Sequence, residues 1–142
     1  MRALLDVNVL IAMLDADHSL HGRATKWFGD QARAGWASCP ITQNGCIRIM
    51  SHPGYPGSLP LQAIMGRLTE AVASAFHEFW PDDISLLDTE VANPIRILGP
   101  RQLTDIYLLA LAVRYRGQFV TFDTSVSLDA VTGAKKNHLR IL

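Results

Sequence analysis

Cysteine is scarce in this chain. Cys39 and Cys46 are its only two, at a spacing that matches neither a zinc site nor a disulfide framework, and they are expected to be buried thiols in a reducing compartment. Long apolar runs are missing as well. The longest, Ala3 to Leu14, is interrupted by Asp6 and has no small-residue cleavage site after it. It falls short of the ~18 residues of a membrane span. Neither a membrane anchor nor a signal peptide is expected, and the location expected is the cytoplasm. A Gly-x-x-x-x-Gly-Lys loop, a Gly-x-Gly-x-x-Gly fingerprint and a Gly-x-Ser-x-Gly elbow are all absent. P-loop hydrolysis, Rossmann cofactor binding and serine esterase chemistry therefore have no support.

Net charge is also zero, from 13 basic and 13 acidic side chains, but it is unevenly spread. Residues 1–95 carry 6 basic and 10 acidic groups, whereas residues 96–142 carry 7 basic and 3 acidic. A basic end suits an anionic partner. Apolar residues make up 49% of the 142. Leu, Ile, Val and Phe alone reach about 29%, above the roughly 20% below which disorder sets in. A chain of this length forms one domain and buries a core without staples.

The apolar run at residues 2–7 predicts a short buried strand, followed by a helix through Met13 that Asn8 is placed to cap. Helical spacing of Leu20, Ala24, Trp27 and Phe28 predicts a helix over 19–34, and Trp36–Ser38 reads as a second strand. Pro40 opens a helix running to Pro53, residues 51–60 form a Pro- and Gly-rich loop, and the longest helical pattern spans Leu61 to Trp80. A third strand is expected over Asp82–Leu87, a helix over about Gln102–Arg116, and strands over Phe119–Phe122 and Leu139–Leu142. Residues 124–137 read as loop with weak helix. The aromatic residues Trp27, Phe28, Phe76, Phe79 and Trp80 are expected in the core. Short apolar strands alternating with amphipathic helices predict an α/β fold with a mostly parallel sheet covered on both faces. Such sheets hold their sites at the carboxyl ends of the strands.

Three acids lie inside apolar segments. Asp6 sits in Leu-Leu-Asp-Val-Asn-Val, Asp105 in Leu-Thr-Asp-Ile-Tyr-Leu-Leu, and Asp123 directly follows Phe-Val-Thr-Phe. Each has an ordinary explanation, as a helix cap, a helix-start acid and a turn former. Together they point elsewhere. Asp6 and Asp123 close predicted strands, and Asp105 opens a helix whose start lies on the same side of a parallel layer. Converging carboxylates repel unless a cation intervenes, and Mg²⁺ or Mn²⁺ suits oxygen ligands.

These segments resemble the motifs of PIN-domain nucleases, particularly VapC-type toxins. Leu4-Leu5-Asp6-Val7-Asn8-Val9-Leu10-Ile11 resembles the opening motif, Leu103-Thr104-Asp105-Ile106-Tyr107-Leu108-Leu109 the third acidic motif, and Phe119-Val120-Thr121-Phe122-Asp123 the fourth. The resemblance implies a PIN-like three-layer sandwich, a short central sheet flanked by helices, spanning residues 1–142. It also implies a Mg²⁺- or Mn²⁺-dependent ribonuclease, paired with a cognate antitoxin and forming a homodimer. Asp6, Asp105 and Asp123 would then be both the catalytic residues and the metal ligands. One motif departs from the pattern: Gln43 stands where the family carries a glutamate. A three-carboxylate site is expected to hold its ion more weakly than a four-acid one.

Asn8, Gln43 and Thr104 are candidates for weak ligation or for hydrogen bonds to the metal-binding carboxylates, and Thr121 is another. Arg101, Arg114, Arg116, Lys135 and Lys136 surround the two C-terminal motifs as candidate RNA phosphate contacts. His18 and His21 are expected to be solvated. Two rival readings remain. One is a PIN-like module that binds RNA or protein without cutting, motivated by Gln43. The other is a haloacid-dehalogenase-like phosphohydrolase, for which Asp6-Val7-Asn8 lacks the second carboxylate that the chemistry needs.

Overall fold

Ala3, Leu4 and Leu5 have no polar side chain to offer to solvent, and the chain buries all three in its central strand, β1 (Ala3–Leu5). The computed structural model describes residues 1–142. On one side β1 pairs with β2 (Trp36–Ser38), which pairs with β3 (His77–Phe79); on the other it pairs with β4 (Gln118–Thr121), which pairs with β5 (Leu139–Ile141). All four pairings are parallel and the order is β3-β2-β1-β4-β5.

Strand side chains alternate between faces, and here both faces are dry. Leu4, Ala37 and Phe119 point to one face, where α5 (Leu103–Arg114) covers them. Ala3, Leu5, Trp36 and Val120 point to the other face. There they meet α1 (Val7–Leu14), α3 (Pro40–Ser51) and α4 (Leu61–Val72), with Trp27 and Phe28 of α2 (His21–Gln31) packed alongside. The three-layer α/β sandwich expected from the sequence is present, with a sheet that is wholly parallel. No helix is long and apolar enough to cross a membrane. Cys39 and Cys46 are free and buried, and burial pushes the Cys46 thiol up to about 12.

Two glycines permit the close packing. A Cβ on Gly45, in the middle of α3, would lie 2.7 Å from Val7 Cγ2, so this residue lets α3 close on α1. A Cβ on Gly117 would meet the Trp80 ring at 2.5 Å and the Arg2 carbonyl oxygen at 2.7 Å.

Four sequence expectations are corrected. The helix from Leu61 ends at Val72 and not at Trp80, because residues 77–79 are needed as a strand beside β2. Ser74 Oγ accepts from Phe76 N–H at 3.2 Å in the turn between them. With that slot filled, Asp82–Leu87 forms no strand, and Leu87 is 94% exposed. Of the aromatic residues assigned to the core, Trp80 is buried, but Phe76 and Phe79 are about half exposed, since β3 is an edge strand. Finally, Asp6 caps α1 in place of Asn8, which lies inside the helix.

Candidate active site

In an open parallel sheet the natural crevice lies where neighbouring strands send their helices to opposite faces. Here that point falls between β1 and β4, since α1 leaves β1 for one face while α5, which feeds β4, covers the other. Asp6 directly follows β1, and Asp123 lies two residues beyond β4. Asp105 occupies the first turn of α5. All three carboxylates line one cleft of about 340 Å³, together with Asn8, His18 and Tyr55.

Asp6 is held from both sides. Its backbone N–H extends the β1–β4 ladder to the Val120 carbonyl (2.9 Å). One carboxylate oxygen accepts from Val7 N–H (2.7 Å) and the other from Thr121 Oγ1 (2.6 Å). The Thr121 hydroxyl in turn accepts from Asn8 Nδ2 (3.3 Å) and from Asp123 N–H (3.0 Å), while Asn8 Oδ1 accepts from Phe122 N–H (3.3 Å). One hydroxyl thus joins the segments bearing Asp6, Asn8 and Asp123. Asp123 is itself oriented by Ser125, whose N–H (2.8 Å) and Oγ (2.6 Å) both donate to Oδ1.

The electrostatics divide the three acids. Burial, and then the charges of Asp6 and Asp123, push Asp105 up to about 6. Asp6 is also raised by burial, against the lowering effect of its Thr121 and Val7 hydrogen bonds. Asp123 is lowered by the two Ser125 donors. Three mutually repelling carboxylates with spare oxygen lone pairs are a donor set that fits a hard divalent cation. No three His, Cys, Asp or Glu side chains close into a finished ligand cage, however.

The remaining expected residues separate clearly. Asn8 reaches the carboxylates only through Thr121. Thr104 is exposed and makes no side-chain hydrogen bond, so Thr121 takes the supporting role. Gln43 is not brought to the cleft: its amide donates to Ser38 Oγ (2.9 Å), and it lines a separate depression with Ile47, Met65 and Leu68. Ser38 Oγ also meets His77 Nε2 (2.8 Å), which holds this side chain on the β2–β3 side.

Arg101 lines a second cavity beside Asp105 and Asp123. Arg114 and Arg116 lie at the far end of α5, and Lys135 and Lys136 immediately precede β5. These four therefore sit at the amino edge of the sheet, opposite the carboxylates. Nine positions of α5, rising ~1.5 Å each, separate Asp105 from Arg114. Sequence reasoning missed Arg96, which joins Arg101 in the second cavity, and Tyr55, which hydrogen-bonds Asp15 at the cleft's rim. Arg96 lies in the same Pro-punctuated approach to α5 as Arg101. That was the available signal.

Comparison with known proteins gives the family. The PIN domain family matches residues 3–132. The chain is 51% identical to Ribonuclease VapC44 of Mycobacterium tuberculosis over 142 residues, covering all of both proteins. It is 40% identical to Ribonuclease VapC39 of the same organism over 134 residues (94% of this chain and 96% of the relative). It is 41% identical to Ribonuclease VapC38 over 125 residues (87% and 86%). With its acids at the β1–β4 crevice and relatives that match between 87% and 100% of its length, the chain belongs to the PIN-domain family, among the VapC ribonucleases.

Proposed function

We propose that this protein hydrolyses RNA phosphodiester bonds with the help of a divalent cation, as the toxin half of a toxin–antitoxin pair acting in the cytoplasm. The observation that carries the reading is the convergence of Asp6, Asp105 and Asp123 on one cleft, each anchored by a different element. These three side chains would hold Mg²⁺ or Mn²⁺, which, when bound, activates water and offsets charge on the phosphoryl group. The Thr121 hydroxyl fixes Asp6 in place and offsets part of the burial that raises it, while the two Ser125 donors fix Asp123 and lower it. Asp105, pushed up to about 6 by burial and its two acidic neighbours, is the group whose charge a bound cation would relieve.

An apolar cavity of about 180 Å³ among α1, α2 and α4, lined by Leu10, Met13, Leu14 and Phe28, supports pairing with an antitoxin. The exposed side chains of Leu87, Ile95 and Leu98 support a homodimer. The placement of Gln43 outside the cleft favours one second reading, a module that binds RNA without cutting it.

End-labelled total RNA incubated with the purified chain decides between them. Cleavage is expected with Mg²⁺ or Mn²⁺, and is expected to vanish with EDTA and with Asp105→Asn. Cleavage that survives both would sink the carboxylate mechanism, and arginine-dependent RNA binding without cleavage would establish the module.

A further inference from the structure

Beside the three-acid cleft lies a second, smaller cavity of about 210 Å³, and Asp105 and Asp123 line both. Its other polar walls are Arg96, Arg101, Gln102, Ser125 and Ser127. The hydrogen bonds already made around it decide what it can accept. Gln102 Oε1 is taken by Leu98 N–H (2.9 Å), which leaves its amide N–H groups free. Ser127 Oγ accepts from Asp129 N–H (3.2 Å), so its own proton is free to donate. Ser125 spends its proton on Asp123. The side chains of Arg96 and Arg101 make neither a hydrogen bond nor an ion pair: the chain's ion pair is Arg2–Glu78 (3.1 Å), on the β3 side.

Outside the shared carboxylates, then, every uncommitted group in the wall is a donor, and two of them are cationic. Neither guanidinium contributes to the pKa shift of Asp105 or Asp123, so the arginines are not occupied by those acids. A wall of donors with planar, forked guanidinium groups is complementary to phosphate oxygens. The volume is below the roughly 300–1,000 Å³ of sites that enclose drug-sized ligands, so it takes one group and not a length of strand.

We propose that this cavity is a phosphate subsite, in which Arg96 and Arg101 together hold a single backbone phosphate of the RNA, the neighbour of the one presented to Asp6, Asp105 and Asp123. The inference rests on the RNA-directed reading of the adjoining cleft. It assigns Arg96, Arg101, Gln102 and Ser127 to positioning the strand beside the acids, whose cleft shares Asp105 and Asp123 with this cavity.

The test is equilibrium binding of a short, mixed-sequence, fluorescently labelled single-stranded RNA in EDTA, across a salt series. Wild type is compared with Arg96→Gln, Arg101→Gln and the double variant. Both side chains are exposed, so the fold is expected to survive, and circular dichroism checks this. The double variant is expected to bind about tenfold more weakly. Its slope of log affinity against log salt is expected to be shallower by about 0.7, the value for one phosphate on a single strand. A loss of slope near 1.4 would place the arginines on two phosphates and overturn the shared subsite. Unchanged binding would overturn it outright.

The same RNA with a neutral methylphosphonate backbone is expected to bind wild type and double variant alike. If it still distinguishes them, the arginines read bases and the phosphate assignment fails. Arginine-dependent binding in a chain that cuts no RNA with Mg²⁺ or Mn²⁺ would support the subsite while defeating the nuclease reading.

Discussion

Replacing Asp105 by Asn removes the charge that burial and two neighbouring carboxylates penalise, while keeping the shape of the side chain. In the folded chain Asp105 keeps its proton up to about pH 6, whereas the unfolded chain releases it near 3.8. Between those values the folded state binds more protons than the unfolded state, so stability falls as pH rises and stays lower above pH 6. Moving the group from 3.8 to about 6 would cost about 3 kcal/mol in a dry site. Asp105 is only partly buried, and screening reduces this to about 1–2 kcal/mol. For a chain of this size that is about 3–6 °C in Tm.

Asp105→Asn is therefore expected to melt higher than wild type in EDTA at pH 7.5, to melt at the same temperature at pH 3.5, and to cut no RNA. Adding Mn²⁺ is expected to raise the wild-type Tm and leave that of the variant unmoved. A variant that melts lower at pH 7.5, or one stabilised equally at both pH values, would refute the reasoning, because the gain must come from the charge.

Other perturbations probe other parts of the structure. Thr121→Val deprives buried Asp6 of its 2.6 Å donor; it is expected to cost about 1–3 kcal/mol by thermal melting and to shift the pH profile of RNA cleavage upward. Gly45→Ala forces a methyl group against Val7 and is expected to cost about 1–3 kcal/mol by denaturant unfolding, with α1 displaced from α3. The triple substitution Arg114→Ala, Lys135→Ala, Lys136→Ala lies on the opposite edge of the sheet and is expected to leave the RNA cleavage rate unchanged. Gln43→Glu is expected to leave Mn²⁺ affinity, measured calorimetrically, as it was; a tighter site would mean that this side chain leaves Ser38 and enters the cleft.

The acids were legible in the sequence because a charge inside an apolar run has few innocent explanations. In the structure the innocent explanations also hold. Asp6 does cap α1, Asp105 does open α5, and Asp123 does form a turn with Ser125. The features that fix each backbone locally are the ones that bring the carboxylates together, so cap and ligand are not competing assignments. What was not legible depended on contacts distant along the chain. Helical spacing continued through Phe76 and Phe79, and only the empty edge of β2 draws residues 77–79 into a strand. Likewise, a basic C-terminal segment does not say which edge of the sheet each cation reaches. Parallel topology sends Arg101 to the carboxylate edge and Arg114 to the other, although both flank the same helix.

The 2.6 Å bond from Thr121 to Asp6 joins residues 115 positions apart, and β1 lies between strands that are made at very different times. At a synthesis rate of about 5–20 residues per second, Asp6 is translated roughly 6–23 s before Thr121 exists. During that interval the central strand lacks one neighbour, Asp6 lacks its side-chain donor, and Asp123 does not yet exist. A ribosome making this chain thus carries no complete three-acid cleft until Asp123 has been translated.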